Sequence, residues 1–310
     1  MKGDLRYSLY VLASAASAAA GLLLTEIALN FYPATTLQIA FLANIVGGIF
    51  LLLPYLRGGF PWRGWPASDW LRFAVSAAAI YAAGFVVLFA AIARVGSSKV
   101  ILLSRVETIF VVVLAVIFLG ERWSGRHWFA SFLALGGATL ISFDPGVLQP
   151  TLSWGDGLTL LAAFLVAAGI VILKPLLMRR DARFVTGLGL LAGAFCLGPF
   201  LYADSSLPAG ASLVTAPLFL LLIAVRGLML GISWATYNAA MRQIGASRCA
   251  VLFLSVSFLT VALQVFVDAA APGLGLRVPD SLATAVAGGI VISVAVALVQ
   301  RDPDGSAEEA

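Results

Sequence analysis

Five charged residues lie inside long apolar stretches of the sequence, and their types could bind a small charged molecule. They are Glu26, Arg105, Glu107, Lys174 and Arg226. A charge near the middle of a bilayer costs about 2.5–3.5 kcal/mol on insertion scales, so such residues are kept where they face a partner or a water-filled cavity. A guanidinium presents a planar pair of donors to a carboxylate, and a buried carboxyl can bind an amino group or carry a proton. We expect Arg105 or Arg226 to bind a carboxylate, and Glu107 or Glu26 to bind an amino group or to carry a proton.

The same charges could instead form structural ion pairs, Glu26 with Arg105 or Glu107 with Arg226. Arg105 and Glu107 are two positions apart, so on a continuous helix their side chains would point about 200° apart. We therefore expect each to meet a different neighbour. Lys174 lies near the end of its apolar stretch, and its amine is expected to snorkel to the membrane surface.

Aromatic and amide side chains form a second group of candidates. Trp234, Tyr237 and Asn238 are spaced by three and four positions, which places them on one helix face. Such a face could stack an aromatic or apolar substrate and hydrogen-bond its polar end, although ordinary helix packing explains it equally. Tyr81 and Phe85 lie four positions apart earlier in the chain, and a shift of about 149 positions between the two halves carries Phe85 onto Trp234. The predicted substrate-binding residues are Arg105, Glu107, Arg226, Trp234, Tyr237, Asn238, Tyr81, Phe85 and Glu26.

The composition decides what kind of structure must position these residues. The chain has 310 residues, of which 61% are hydrophobic and 11% charged, whereas soluble domains have about 25% charged residues. This excludes a water-soluble, disordered or fibrous protein and indicates a polytopic helical membrane protein. A spanning helix needs about 20 apolar residues. Ten stretches fit: 8–29, 35–56, 70–93, 98–119, 126–143, 154–178, 184–203, 215–241, 247–269 and 282–300.

The basic residues predict the orientation of these spans. With the N-terminus inside, three of the 19 Lys and Arg residues lie at outer ends (Arg94, Lys99 and Arg277). Three more lie within spans, and the remaining thirteen lie at inner ends or loops. The positive-inside rule therefore places both termini in the cytoplasm of a bacterial-type inner membrane, with the first span retained rather than cleaved. The acidic tail 302–310 is expected to be disordered.

The two halves of the chain match weakly at a shift of about 148–149 positions. Val95-Gly96-Ser97-Ser98-Lys99 parallels Ile244-Gly245-Ala246-Ser247-Arg248. Five spans in each half is an odd number, so the second half would cross the membrane in the opposite sense. The predicted fold is an all-α membrane protein of ten transmembrane helices in two inverted five-helix repeats, residues 1–147 and 148–301.

One short motif carries a family resemblance. Phe118-Leu119-Gly120-Glu121-Arg122-Trp123-Ser124 resembles the end of the fourth helix in EamA-type members of the drug/metabolite transporter superfamily. Leu135-Gly136-Gly137-Ala138 is similar to their small-residue fifth helix. Two features depart from the family pattern: Arg105-Val106-Glu107-Thr108 stands where a proline is common, and the second half has Asp268 and Pro272 near the position of the Gly-Glu-Arg motif. The resemblance implies a secondary transporter, commonly an exporter of amino acids or related small metabolites, working by alternating access.

Other functions find little support in the sequence. The only histidine, His127, lies at a predicted cytoplasmic edge, and no His/Cys cluster or phosphate-binding glycine loop is present, so we expect no enzyme, metal or cofactor. Cys196 and Cys249 lie in apolar runs and are expected to be buried. The expected partners are a small-molecule substrate, a coupled proton and the lipid bilayer, without nucleic acid, in a monomer or homodimer. The alternatives left open are a carrier for an organic cation or drug, a channel, and an intramembrane enzyme.

Tryptophans at predicted membrane interfaces are Trp62, Trp65, Trp70, Trp123, Trp128 and Trp154.

Overall fold

The computed structural model describes residues 2–95, 97–141, 153–203, 216–276 and 281–300, and this part of the chain is helical without strands. The predicted boundary between the halves and the acidic tail lie outside the described residues, as does Arg277. The helices up to residue 141 are α1 (Lys2–Phe31), α2 (Thr36–Leu52), α3 (Tyr55–Gly58), α4 (Ala67–Ala77), α5 (Gly84–Val95), α6 (Ser97–Ser104), α7 (Glu107–Leu119) and α8 (Gly125–Ile141). A π-helical segment, Ala78–Ala83, joins α4 to α5.

The helices beyond residue 152 repeat much of this order. They are α9 (Trp154–Arg179), α10 (Ala182–Ala203), α11 (Pro217–Ile244), α12 (Ala246–Phe253), α13 (Ser255–Ala270) and α14 (Leu282–Gln300), with a short 3₁₀ turn at Pro272–Leu274. Local sequence signals set several of these ends. Ser153 caps the first turn of α9 by accepting from the backbone N–H of Asp156, whose carboxylate accepts from the N–H of Ser153 in return.

Within the described residues, seven helical stretches are long and apolar enough to cross a membrane. They are Leu5–Phe31, Ala67–Ile92, Trp154–Arg179, Ala182–Leu201, Pro217–Ile244, Ala246–Ala270 and Leu282–Val299. α2 and α7 are apolar but shorter. The chain is therefore a multi-pass membrane protein, and the count of ten spans stays a prediction.

Helices from the first 141 residues pack mainly against helices from beyond residue 152. α1 runs along α11, while α9 runs along α4, α5 and the π-helical segment between them. α2 packs on α10, and α8 on α14. The boundaries also recur: α6 begins at Ser97 and α12 at Ala246, 149 positions later. A chain made of two related halves is expected to show this recurrence of helix boundaries.

Small residues bring these helices unusually close together. A Cβ atom on Gly137 of α8 would lie 2.8 Å from the carbonyl oxygen of Gly288 in α14. A Cβ atom on Gly47 of α2 would lie 2.7 Å from the carbonyl oxygen of Gly227 in α11. In lipid, close packing rather than the hydrophobic effect holds helices together, so these glycines act as packing residues.

Two predicted spans are broken in the middle. The stretch 98–119 is interrupted at Arg105 and Val106, where the backbone N–H of Val106 donates to Leu103 three positions earlier. The stretch 247–269 is interrupted at Leu254, 149 positions after Arg105, by the same kind of bond to Val251. Hydropathy predicts these two stretches but not the turns within them, because apolar composition reveals that a segment is buried in lipid without revealing breaks in its hydrogen bonding.

Candidate functional site

The break between α6 and α7 carries two of the predicted charges. Arg105 follows the C-terminal end of α6, and Glu107 lies in the first turn of α7. The partial charges of helix ends favour a cation at the first position and an anion at the second. The expectation that the two side chains meet different neighbours stays a prediction, because no salt bridge between them occurs among the described residues. They interact electrostatically, and Arg105 Nε is buried without a hydrogen-bond partner.

A row of aromatic rings crosses the bundle beside this break. Ring centroids are 6.0 Å apart for Tyr81 and Trp234, 6.1 Å for Trp234 and Tyr237, and 5.4 Å for Tyr237 and Phe253. Tyr237 is also within electrostatic range of Glu107. Tyr81 belongs to the π-helical segment, a geometry frequent at functional sites. The structure thus brings Tyr81, Trp234 and Tyr237 together in one row, and Tyr237 links that row electrostatically to Glu107 of the broken helix.

Asn238 lies next to this aromatic row. Its Nδ2 donates to Thr186 Oγ1 at 2.8 Å, and its Oδ1 is buried without a partner. Tyr81, Thr186 and Asn238 line a void of about 10 Å³, roughly the space that holds one water molecule. Its other lining residues are mostly apolar, so the void presents only a few polar atoms. The sequence interpretation missed Thr186, whose signal was a hydroxyl in an otherwise apolar helix.

Arg226 and Glu26 have uncharged hydrogen-bond partners. Arg226 Nε donates to Thr25 Oγ1 at 2.9 Å, and Glu26 Oε2 accepts from Gln264 Nε2 at 2.7 Å. The predicted pairs Glu26–Arg105 and Glu107–Arg226 are not among the salt bridges of the described residues, which join Lys99 to Asp156, Lys174 to Glu121 and Arg180 to Asp69. Sequence reasoning considered only charged partners and so missed Thr25 and Gln264.

Lys174, predicted to snorkel to the membrane surface, forms an ion pair with a carboxylate just beyond the end of α7. Its Nζ lies 2.6 Å from Glu121 Oε1, while Glu121 also accepts from the backbone N–H groups of Ala246 (2.8 Å) and Ser247 (3.1 Å) at the start of α12. Burial alone would raise the pKa of Glu121. The charge of Lys174 and these hydrogen bonds outweigh burial, so the pKa lies below its ordinary value. Glu121 thereby joins the end of α7 to α9 and α12.

An aromatic cluster with a salt bridge lies near the same end of α9. Trp65, expected at a membrane interface, is only 7% exposed because it packs on Phe184 and beneath the guanidinium of Arg180. Arg180 Nη2 in turn lies 2.7 Å from Asp69 Oδ2. By contrast Trp154 is 74% exposed, as an interface residue would be.

Three other predicted features are settled only in part. His127, expected in a loop or at an interface, is 2% exposed within α8, with Nδ1 3.0 Å from Ser124 Oγ. The side chain of Phe85 lies outside what the structure describes. Cys249 is buried, whereas Cys196 is half-buried. No group of three or more His, Cys, Asp or Glu side chains that could hold a metal occurs among the described residues.

Comparison with known proteins agrees with the sequence resemblance. The model of the EamA-like transporter family matches residues 5–143. A solved structure titled only "Crystal structure of protein" is similar in fold, with a TM-score of 0.69 over 93% of this chain and 96% of that chain, at 18% sequence identity. No curated protein matches the chain significantly. Residues 5–143, which include the Glu121 motif, are therefore similar to the EamA-like transporter family of the drug/metabolite transporter superfamily, whose members move small solutes across membranes.

Proposed function

We propose that the protein is a secondary transporter that exports amino acids, those with aromatic or apolar side chains foremost, across a bacterial-type inner membrane. The observation that carries this proposal is the broken helix, at which Arg105 and Glu107 place opposite charges, with Tyr237 of the aromatic row within electrostatic range of Glu107. Discontinuous helices that offer charged or polar ends in mid-membrane are typical of substrate sites in carriers.

The two charges complement the two ends of a zwitterion. A carboxylate can accept two parallel hydrogen bonds from a guanidinium, and an ammonium group can pair with Glu107. An apolar or aromatic substrate side chain would then stack on Trp234 and Tyr237. Glu107 is also the residue we propose to carry a coupling proton, since a carboxyl in the membrane interior gains most from neutralisation.

Alternating access is supported by the way the two parts of the chain interlock. The breaks at Arg105 and Leu254 are 149 positions apart. At about the same offset, the packing of α1 on α11 is matched by the packing of α9 on α4, α5 and the π-helical segment. We propose two inverted five-helix halves, residues 1–147 and 148–301, that rock around the site to expose it to one side at a time. Both termini would be cytoplasmic, and the ten-helix chain would carry substrate as a monomer or within a homodimer in the lipid bilayer.

A carrier for organic cations or drugs is the second candidate. Aromatic ring faces attract cations, and Tyr237, which packs against Trp234, lies within electrostatic range of the carboxylate Glu107. A quaternary ammonium ion needs the carboxylate and the rings but has no use for Arg105. The two candidates therefore differ in their dependence on this arginine.

Counterflow in proteoliposomes tests both candidates. Vesicles loaded with unlabelled phenylalanine should accumulate labelled phenylalanine in a saturable manner, and the rate should fall at least about tenfold in Arg105→Gln, Glu107→Gln and Trp234→Ala because each removes one direct contact. Trp154→Ala is the matched control, since that ring is exposed.

The outcome with a second solute separates the alternatives. Counterflow of tetraethylammonium that survives Arg105→Gln and is lost in Glu107→Gln would favour the cation carrier. Flux that never saturates would indicate a channel. The absence of protein-dependent flux for a panel of amino acids would refute the amino-acid proposal.

A further inference from the structure

The guanidinium of Arg226 is held in one orientation by two residues of α1. Arg226 Nε donates to Thr25 Oγ1 at 2.9 Å, and the same hydroxyl donates to the carbonyl oxygen of Gly21 at 2.9 Å. A hydroxyl has one proton to donate, and here that proton is directed to Gly21, so a lone pair remains for Nε. The Thr25 hydroxyl therefore acts as a fixed acceptor that positions the arginine.

Gly21 provides the space in which the guanidinium lies. A Cβ atom at this position would approach Arg226 Nη1 to 3.0 Å and Cζ to 3.3 Å. These distances are shorter than ordinary van der Waals contacts, so any side chain at position 21 would push the guanidinium away from α1. α1 thus supplies both the flat surface and the acceptor for one cation.

The outer edge of this guanidinium is left for a ligand. Nη1 and Nη2 make no hydrogen bond within the described part of the chain, and neither of them is fully enclosed. The three salt bridges of the described residues do not include Arg226. Arg226 is about nine residues into α11, roughly 14 Å from its start, where an uncompensated cation is costly. A fixed planar pair of donors in such surroundings fits the two oxygens of a carboxylate.

We propose that Gly21, Thr25 and Arg226 form a carboxylate-binding subsite, with Arg226 contacting the ligand and the other two positioning it. The subsite rests on the proposed function only in assuming that a carboxylate solute enters the bundle. Because binding can be measured on purified protein without flux, loss of the subsite and loss of transport can be told apart.

The test measures binding of 3-phenylpropionate and its uncharged isostere 3-phenylpropanamide to detergent-purified protein by calorimetry. The carboxylate should bind more tightly than the amide. Arg226→Gln should weaken carboxylate binding at least about tenfold, and Arg226→Lys should weaken it less because the charge remains without the planar fork. The amide should be affected little by either change.

Positioning by α1 is tested with matched pairs of variants. Thr25→Val and Gly21→Ala should each weaken carboxylate binding several-fold. Thr139→Val removes a hydroxyl that donates only to its own helix at Leu135, and Gly136→Ala adds a methyl group to a position with no atom within 4 Å. These two controls should leave binding unchanged.

The following results would overturn the assignment of the carboxylate-binding subsite or of its positioning residues. Equal affinity for carboxylate and amide would remove the case for an anion site, as would wild-type protein that binds neither. Tighter binding of inorganic phosphate than of the carboxylate would assign a different ligand chemistry. Full affinity in Thr25→Val and Gly21→Ala, with loss only in Arg226→Gln, would refute the positioning role. Transport of phenylalanine without any carboxylate-dependent binding at Arg226 would leave the carrier proposal intact and reject the subsite alone.

Discussion

Replacing Glu121 by glutamine removes one negative charge from the contact between α7, α9 and α12 while keeping the size of the side chain. In the wild-type protein Glu121 accepts from Lys174 Nζ at 2.6 Å and from the backbone N–H groups of Ala246 and Ser247. Glutamine has one acceptor oxygen, and its NH2 group donates hydrogen bonds but cannot accept one from an N–H group. The substitution therefore leaves Lys174 without its counter-charge and at least one backbone donor without an acceptor.

The cost of this substitution follows from the burial of the pair. Removing one partner of a fully buried ion pair costs about 3–5 kcal/mol, and hydrogen bonds to a charged group contribute about 1.5–3 kcal/mol each. The side chains of Lys174 and Glu121 are 16% and 13% exposed, so water offsets part of the loss. We expect a decrease in the free energy of unfolding of about 2–3 kcal/mol, equivalent to about 4–6 °C in melting temperature.

Thermal unfolding in detergent, followed by tryptophan fluorescence, measures this change. Lys174→Met should cost less than Glu121→Gln, because Glu121 would keep both backbone donors at the start of α12. The double variant should be more stable than the sum of the two losses predicts, since no unpaired lysine remains.

Two results would refute this reasoning about Glu121. An unchanged melting temperature in Glu121→Gln would mean that the contacts of Glu121 with Lys174 and α12 contribute nothing to the free energy of unfolding. A larger loss in Lys174→Met than in Glu121→Gln would mean that the backbone hydrogen bonds at α12 contribute less than the charge pair.

Three further predictions concern stability. The folded-state pKa of Glu121 lies below its ordinary value, so its contribution is complete above about pH 4.5 and is lost as the pH falls through the folded-state pKa; the difference in melting temperature between wild type and Glu121→Gln should shrink on acidification. Gly137→Ala should lower the melting temperature by several degrees, because its Cβ atom would meet a backbone oxygen at 2.8 Å, whereas Gly136→Ala next to it should not. Asp69→Asn should destabilise the protein by about 1–2 kcal/mol in chemical denaturation, because Arg180 loses its counter-charge; an unchanged midpoint would contradict a stabilising role for that pair.

Much of the helical fold could be predicted from hydropathy, because each buried segment had to be apolar over its whole length. What hydropathy could not reveal was the continuity of each segment. The breaks at Arg105 and Leu254 depend on a few backbone hydrogen bonds to the third preceding residue. Such bonds leave the average composition of a segment unchanged.

The candidate site, like the fold, could be predicted only in part. Charge in an apolar segment was enough to single out Arg105, Glu107 and Arg226, since the cost of burial makes such residues rare. Their partners could not be predicted, because a partner is defined by which helices pack together. Thr25 therefore contacts Arg226 across 201 positions of sequence, although nothing in its local sequence distinguishes it from a packing residue.

Among the described residues, the salt bridges are distributed unequally between the two ends of the bundle. Glu121–Lys174 and Asp69–Arg180 lie where α9 finishes, whereas Lys99–Asp156 lies where α9 begins. The position 149 residues after Glu121 is Ala270, which has no charge, so the Glu121–Lys174 ion pair has no counterpart at the opposite end of the bundle. Opening one end of a rocking carrier would thus break two ion pairs, and opening the other would break one. Under the proposed rocking mechanism, the two conformations would have unequal free energies, and the empty carrier would favour the one whose site faces the end where α9 begins.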